Sequence, residues 1–208
     1  YLRLTSMSLT TYADLKSAIK NWTQRGTEVD STIDDIIAVA ERRIYRELRI
    51  RVMETALSDT VANGSIALPT SYVELKYAYI NRTPVTFLER KTAEWIYERY
   101  PTRAASSTPK YIAREASTFI FGPFPDSAYT ISGIYYKRLD PIATSVSTIF
   151  TDNPDIYLFA GCVEMMRFLN DQAGIQKFEP MYQNVKAQVQ HESDTEYFSG
   201  SAMAVSVA

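Results

Sequence analysis

The sequence has one cysteine, one histidine and only seven glycines in 208 residues. One cysteine excludes an intrachain disulfide framework, and one histidine beside it excludes both a zinc ligand set and a Ser-His-Asp triad. None of the glycines falls in a G-x-G-x-x-G or P-loop pattern, so no phosphate cradle is written in the chain. Charge of one sign is lacking too. The 22 basic and 24 acidic residues leave a net charge of -2, which gives no general attraction to nucleic acid or anionic membranes. No apolar run approaches the roughly 20 residues that span a bilayer, and no signal-peptide core is visible, so the expectation is a soluble chain in a reducing compartment. Cys162, among apolar neighbours, reads as a small buried side chain, and His191 as a solvated residue of a helix. Metal and cofactor sites are therefore not expected.

What is present is a strong central helix. From Glu28 to Arg51, Ile33, Ile36, Ile37, Ala40, Ile44 and Leu48 recur at steps of three and four, which places them on one face. Asp30 or Ser31 is expected to cap it, with Asp34 and Asp35 in its first turn and Arg42, Arg43, Arg46, Arg49 and Arg51 towards its negative end. Before it, Thr11 with Asp14 forms a capping box ahead of Leu15, Ile19 and Trp22, and the short break at 24–27 predicts an αα-hairpin over residues 11–50.

After Arg51 the period becomes alternating. Strands are expected at Met53 to Ser58, across an Asn63-Gly64 hairpin, at Val73 to Tyr79, at Val85 to Phe87, and at Lys110 to Arg114, Thr118 to Phe121 and Tyr129 to Arg138, forming one antiparallel, aromatic-rich sheet. A short helix over Lys91 to Tyr100 interrupts them, and the small-residue stretch 102–108 reads as a loop. Helix returns with Asn153 as cap and Pro154 at the first position. Residues 156–169 are apolar except Glu164 and Arg167, which predicts a helix surrounded on most sides. Gly174 is expected to end a turn before a final helix from Ile175 to Phe198, carrying Phe178, Tyr182, Val185 and Val189 on its inner face.

The fold class is thus α+β and mainly α: a helical bundle with a β-rich antiparallel insertion between its N-terminal and C-terminal helices. A single domain is expected over 7–208, with the hairpin at 11–50, the insertion at 52–150, the C-terminal helices at 153–198 and a flexible tail at 199–208. Met7 reads as the natural start.

Two features bear on function. Arginines near a helix C-terminus can complement its dipole and pair with Glu41 or Glu47, or they can offer bidentate contacts to a neighbouring subunit's carboxylates or to DNA phosphates. The near-zero net charge favours the protein partner. The fifteen tyrosines can fill a core or form an interface, and Tyr135-Tyr136 puts one ring on each sheet face. Paired carboxylates, Asp34 with Asp35 and Asp152 with Asp155, leave a glycosidase open as an alternative, although all four sit at first-turn or capping positions.

The order of these signals resembles the head-to-tail adaptor (connector) proteins of tailed bacteriophages, especially short-tailed phages. The resemblance rests on TTYADLKSAIKNW, on IDDIIAVAERRIYRELRIR running into VMETA, and on PTSYVELKYAYIN, EWIYERYP and PKYIA. It continues through FIFGPFP, YTISGIYYKRL and NPDIYLFAGCVEMMRFL to EYFSGS, covering Met7 to Ser201. The resemblance implies a non-enzymatic virion protein of the neck, assembled in the bacterial host cytoplasm. It implies a dodecameric ring that docks on the portal, meets a downstream tail or nozzle protein, and lines the path of viral DNA, with the isolated chain monomeric and no membrane partner. It also implies that Ser199, Gly200, Ser201, Ala202, Met203, Val205 and Val207 bind the portal, and that Arg42, Arg43, Arg46 and Arg49 lie at a subunit or lumen interface. A cell-wall glycoside hydrolase and a nucleic-acid-binding module using the arginines are the competing readings.

Overall fold

The computed structural model describes residues 9–102 and 106–198. The chain is mixed α and β and divides into two compact units, one of Tyr1–Val52 with Leu139–Ala208 and one of Met53–Arg138.

In the first unit, helix α1 (Tyr12–Thr23) begins with the expected capping box: the Thr11 hydroxyl accepts from the Asp14 N–H while the Asp14 carboxylate accepts from the Thr11 N–H at 3.0 Å. Helix α2 (Ile33–Glu47) follows a single 3-10 turn. Its cap departs from expectation. Thr32 stands at the N-cap without a side-chain bond, and Asp30 is instead ion-paired with Lys20 at 2.7 Å. The helix also stops earlier, at Glu47. The Arg49 guanidinium donates to the carbonyls of Tyr45 and Leu48, at 3.0 and 2.7 Å, satisfying acceptors that a continued helix would have used. Arg49 and Arg51 therefore lie beyond α2.

The short helix α4 (Thr148–Asp152), which no periodicity announces, is capped by Ser147 and leads into α5 (Pro154–Phe168). Asn153 occupies the cap of α5 but makes no side-chain bond there. Helices α1, α2, α4 and α6 (Gln172–Phe198) all pack against α5, so its apolar surface is enclosed as predicted. Ile156, Ala160, Cys162, Val163 and Met165 are fully buried. Gly161 permits this closeness, since a Cβ there would overlap the Ile19 side chain of α1. The turn after α5 is made by Asn170, at φ 54°, not by Gly174, which lies inside α6 against Met166. Phe178, Tyr182, Val185 and Val189 face inward as expected.

In the second unit the strands form two sheets, not one. Sheet 1 has the order β1 (Glu54–Val61), β8 (Tyr129–Lys137), β3 (Tyr72–Ile80), β4 (Thr86–Phe87). Sheet 2 has the order β2 (Ser65–Ala67), β7 (Thr118–Gly122), β6 (Tyr111–Glu115), β5 (Glu89–Arg90), with β5 and β6 parallel. Asn63-Gly64 does turn the chain, with Gly64 at φ 74°, but its two arms do not pair with each other. All eight residues of β1 pair with β8 and β2 pairs with β7, so the turn is a corner between sheets. Alternation along β7 sends Phe119 and Phe121 into the core between the sheets, with Leu57, Leu75, Ile80 and Ile131. Ile120 faces the other way, against Ile96 of helix α3 (Ala93–Arg99). Sheet 2 is thus covered on both faces, whereas the outer face of sheet 1 carries exposed aromatics.

Candidate functional site

The arginines that stand together in the sequence part company in the structure. Arg43 is only 7 % exposed. Its Nε donates to Glu47 at 2.9 Å, its Nη1 to Glu179 at 3.0 Å, its Nη2 also to Glu179, and Nη1 lies 3.4 Å from Glu164. The guanidinium plane stacks on the Tyr182 ring at 4.3 Å. Arg167 joins Glu164 at 2.7 Å and Glu179 at 3.1 Å, and Lys186 joins Glu47 at 2.8 Å. Three cations and three carboxylates thus bind α2, α5 and α6 into a closed network. Burial works against the Arg43 charge, but its hydrogen bonds to Glu179 and Glu47 outweigh that and hold the guanidinium protonated. Burial likewise opposes the charge on Glu47, and Lys186 and Arg43 overcome it, so its pKa lies below the ordinary value. Glu179 is lowered chiefly by its hydrogen bond from Arg43.

Glu41, the other expected arginine partner, does something else. It is buried and accepts from the backbone N–H of Ile142 at 2.8 Å, and burial raises its pKa. Arg49 engages carbonyls, as described, and Gln190 bonds its backbone N–H and C=O at 3.3 and 3.1 Å. Arg42 and Arg46 are exposed, four residues apart on one ridge of α2, and no partner holds them among the described residues. The sequence missed the partners Glu164, Arg167, Glu179 and Lys186. A signal existed for two of them: Glu164 and Arg167 are the charges that interrupt an otherwise apolar helix, and such charges need counter-ions when packed.

Two of the four carboxylates weighed for glycoside chemistry, Asp34 and Asp155, have structural duties. Asp34 accepts from the Tyr12 hydroxyl at 2.7 Å and pairs with Lys16 at 3.1 Å, which lower its pKa. Asp155 accepts from the Ile156 N–H at 3.0 Å. Among the described residues no group of three or more His, Cys, Asp or Glu is placed to hold a metal ion. Cys162 is fully buried, and burial pushes its thiol up to about 12. His191 is exposed on α6. No helix of the described residues is long and apolar enough to cross a membrane.

Two surfaces expose large apolar side chains that pack only partly within the described residues. On the first unit an open groove of about 410 Å³ lies between α2 and α5, lined by Asp35, Ile36, Val39, Glu164 and Phe168. Val39 and Phe168 are 44 % and 54 % exposed, unusual for large apolar side chains on one patch. On the second unit, Tyr77, Tyr79 and Phe87 cluster on the outer face of sheet 1, with ring centroids 5.7 to 6.4 Å apart. Tyr135 is buried and Tyr136 half-buried on the opposite face, as the alternation required. The tail residues Ser199, Gly200, Ser201, Ala202, Met203, Val205 and Val207 lie outside the described residues.

The chain matches the family model described as SU10 adaptor protein over residues 10–205. No curated protein matches it.

Proposed function

The chain belongs to the SU10 adaptor protein family of phage head-to-tail adaptors, and from that premise we propose that it is a ring-forming connector between the portal vertex and the tail. The match across nearly the whole chain, residues 10–205, carries this reading. Twelve copies dock beneath the portal in the virion neck, assembled in the host cytoplasm from monomers, and the ring's inner surface borders the exit path of viral DNA. The helical bundle forms the body of each subunit, and the β-rich part meets the downstream tail or nozzle protein.

Within this reading the four arginines divide the work. Arg43 and Arg49 stiffen the subunit from inside, and Arg42 and Arg46 face a neighbouring subunit or the lumen. Their exposure, and the absence of a partner for either among the described residues, support that placement. The tail residues Ser199 to Val207 order against the portal. An apolar segment of small residues that folds on binding costs ordering entropy only at the moment of docking, which suits a part that must not assemble early.

Deletion of residues 199–208 tests the docking element. The shortened protein is expected to keep its circular dichroism and melting temperature and to lose co-sedimentation with portal rings. Undiminished docking would refute the tail assignment.

A further inference from the structure

We propose that the Phe87 edge of sheet 1 on one copy of this chain inserts into the α2–α5 groove of a second copy, forming the head-to-tail contact between neighbouring subunits. The inference rests on the ring reading above and adds the faces that meet.

Phe87 is the most exposed large apolar side chain among the described residues, at 67 %, and Val85 beside it is 51 % exposed. Strand β4 holds Phe87 at the rim of its sheet through pairing with Tyr79 and Ile80, and Tyr77 and Tyr79 buttress the ring from one side. This makes a rigid aromatic knob. The groove has room for it: about 410 Å³ with Ile36, Val39 and Phe168 in its lining, when a cavity of about 150 Å³ already holds a benzene-sized group.

Charge points to the same pairing. Of the charged residues lining the groove, Glu164 and Arg167 are paired with each other at 2.7 Å, whereas the Asp35 carboxylate has no partner among the described residues. Beside the knob, the Arg82 guanidinium meets, among the described residues, only hydroxyls, those of Thr86 at 3.2 Å and Thr108 at 3.4 Å. An unpaired cation next to the knob and an unpaired anion next to the hole set the register of the contact. Because knob and hole are different surfaces, each copy can offer its knob to one neighbour and its groove to the other. That is the heterologous arrangement from which rings are built, and an aromatic anchor in a pocket is the usual centre of such an interface.

The test is cross-linking between two variants of the 208-residue chain, Val39→Cys and Val85→Cys, mixed in equal amounts with a short bis-maleimide, with and without portal rings. The native Cys162 is buried and stays out of the reaction. With portal rings present, a mixed-variant dimer that neither variant forms by itself is expected. Charge reversal follows: Asp35→Arg or Arg82→Asp alone should lower the yield at least about tenfold, and both changes in one chain should restore it. Restoration cannot arise from a folding defect. If the portal acquires a full ring but no mixed cross-link appears, or the reversals have no effect, this contact is wrong and the adaptor reading stands. A mixed cross-link in solution with no ring on the portal would keep the contact and remove the adaptor reading. Neither species would overturn both.

Discussion

Arg43 Nη1 donates to Glu179 Oε2 at 3.0 Å across 136 positions of sequence, joining α2 to α6. The same guanidinium reaches Glu164 on α5 and Glu47 on its own helix. A residue that reads as one more charge on an exposed arginine face is in fact the internal fastening of three helices.

Removing that fastening should be expensive. Arg43→Ala strands Glu179 and Glu47 in a partly buried site without their main counter-ion, and it removes packing on Tyr182. A loss of about 3–5 kcal/mol is expected by urea denaturation, whereas Arg42→Ala, one position away and exposed, should stay within about 0.5 kcal/mol. Equal effects at the two positions would contradict the network.

Stability should depend on pH through two opposing carboxylate groups. Glu47 and Glu179 have lowered folded pKa values, so their contribution is present above the ordinary value of 4.5 and is lost as pH falls through the lowered ones. Glu41 has the opposite sign. Its raised pKa favours the protonated form in the folded state, so its effect is fully present below 4.5 and lost as pH rises through the raised value. Glu41→Gln keeps an oxygen for the Ile142 N–H without the charge. It should raise the melting temperature at pH 8 and have a vanishing effect at pH 4. A gain that is the same at both pH values would refute the assignment.

The close approach of α1 to α5 gives a packing prediction. Gly161→Ala places a methyl group against the fully buried Ile19 and should cost about 1–3 kcal/mol. Shortening the neighbour with Ile19→Val should recover part of that loss in the double variant, beyond the sum of the two single changes. Simple additivity would mean that the two side chains do not compete for the same space.

Arg42 and Arg46 are the outward members of the cluster. Arg42→Ala with Arg46→Ala should leave urea stability unchanged while weakening assembly on the portal and flattening its salt dependence. Unchanged assembly at low salt would exclude both residues from the contact.

Local signals in the sequence were reliable where one physical cause decided the outcome. The Thr11–Asp14 box capped α1, the apolar stretch around Ala160 and Val163 was enclosed, and Phe178, Tyr182, Val185 and Val189 faced inward. Errors arose where tertiary pairing chose among local options. Asn63-Gly64 can close a hairpin, but the long pairing of β1 with β8 and the separate pairing of β2 with β7 made it a corner. Asp30 can cap a helix, yet Lys20 was available to it. The turn expected to end at Gly174 is made by Asn170 in the left-handed region, while Gly174 lies inside α6, where a Cβ would meet Met166. The arginine cluster was visible as composition. That Arg43 points inward, Arg49 back along its helix, and Arg42 and Arg46 outward depends on where α5 and α6 lie, which no spacing within α2 encodes.

The measurement that bears most directly on the central claim is native mass spectrometry of the 208-residue chain, alone and mixed with portal rings from the same phage. The account predicts a 23.6 kDa monomer that converts on the portal into one discrete complex carrying a full ring of copies. A monomer that remains indifferent to the portal at every ratio would contradict it.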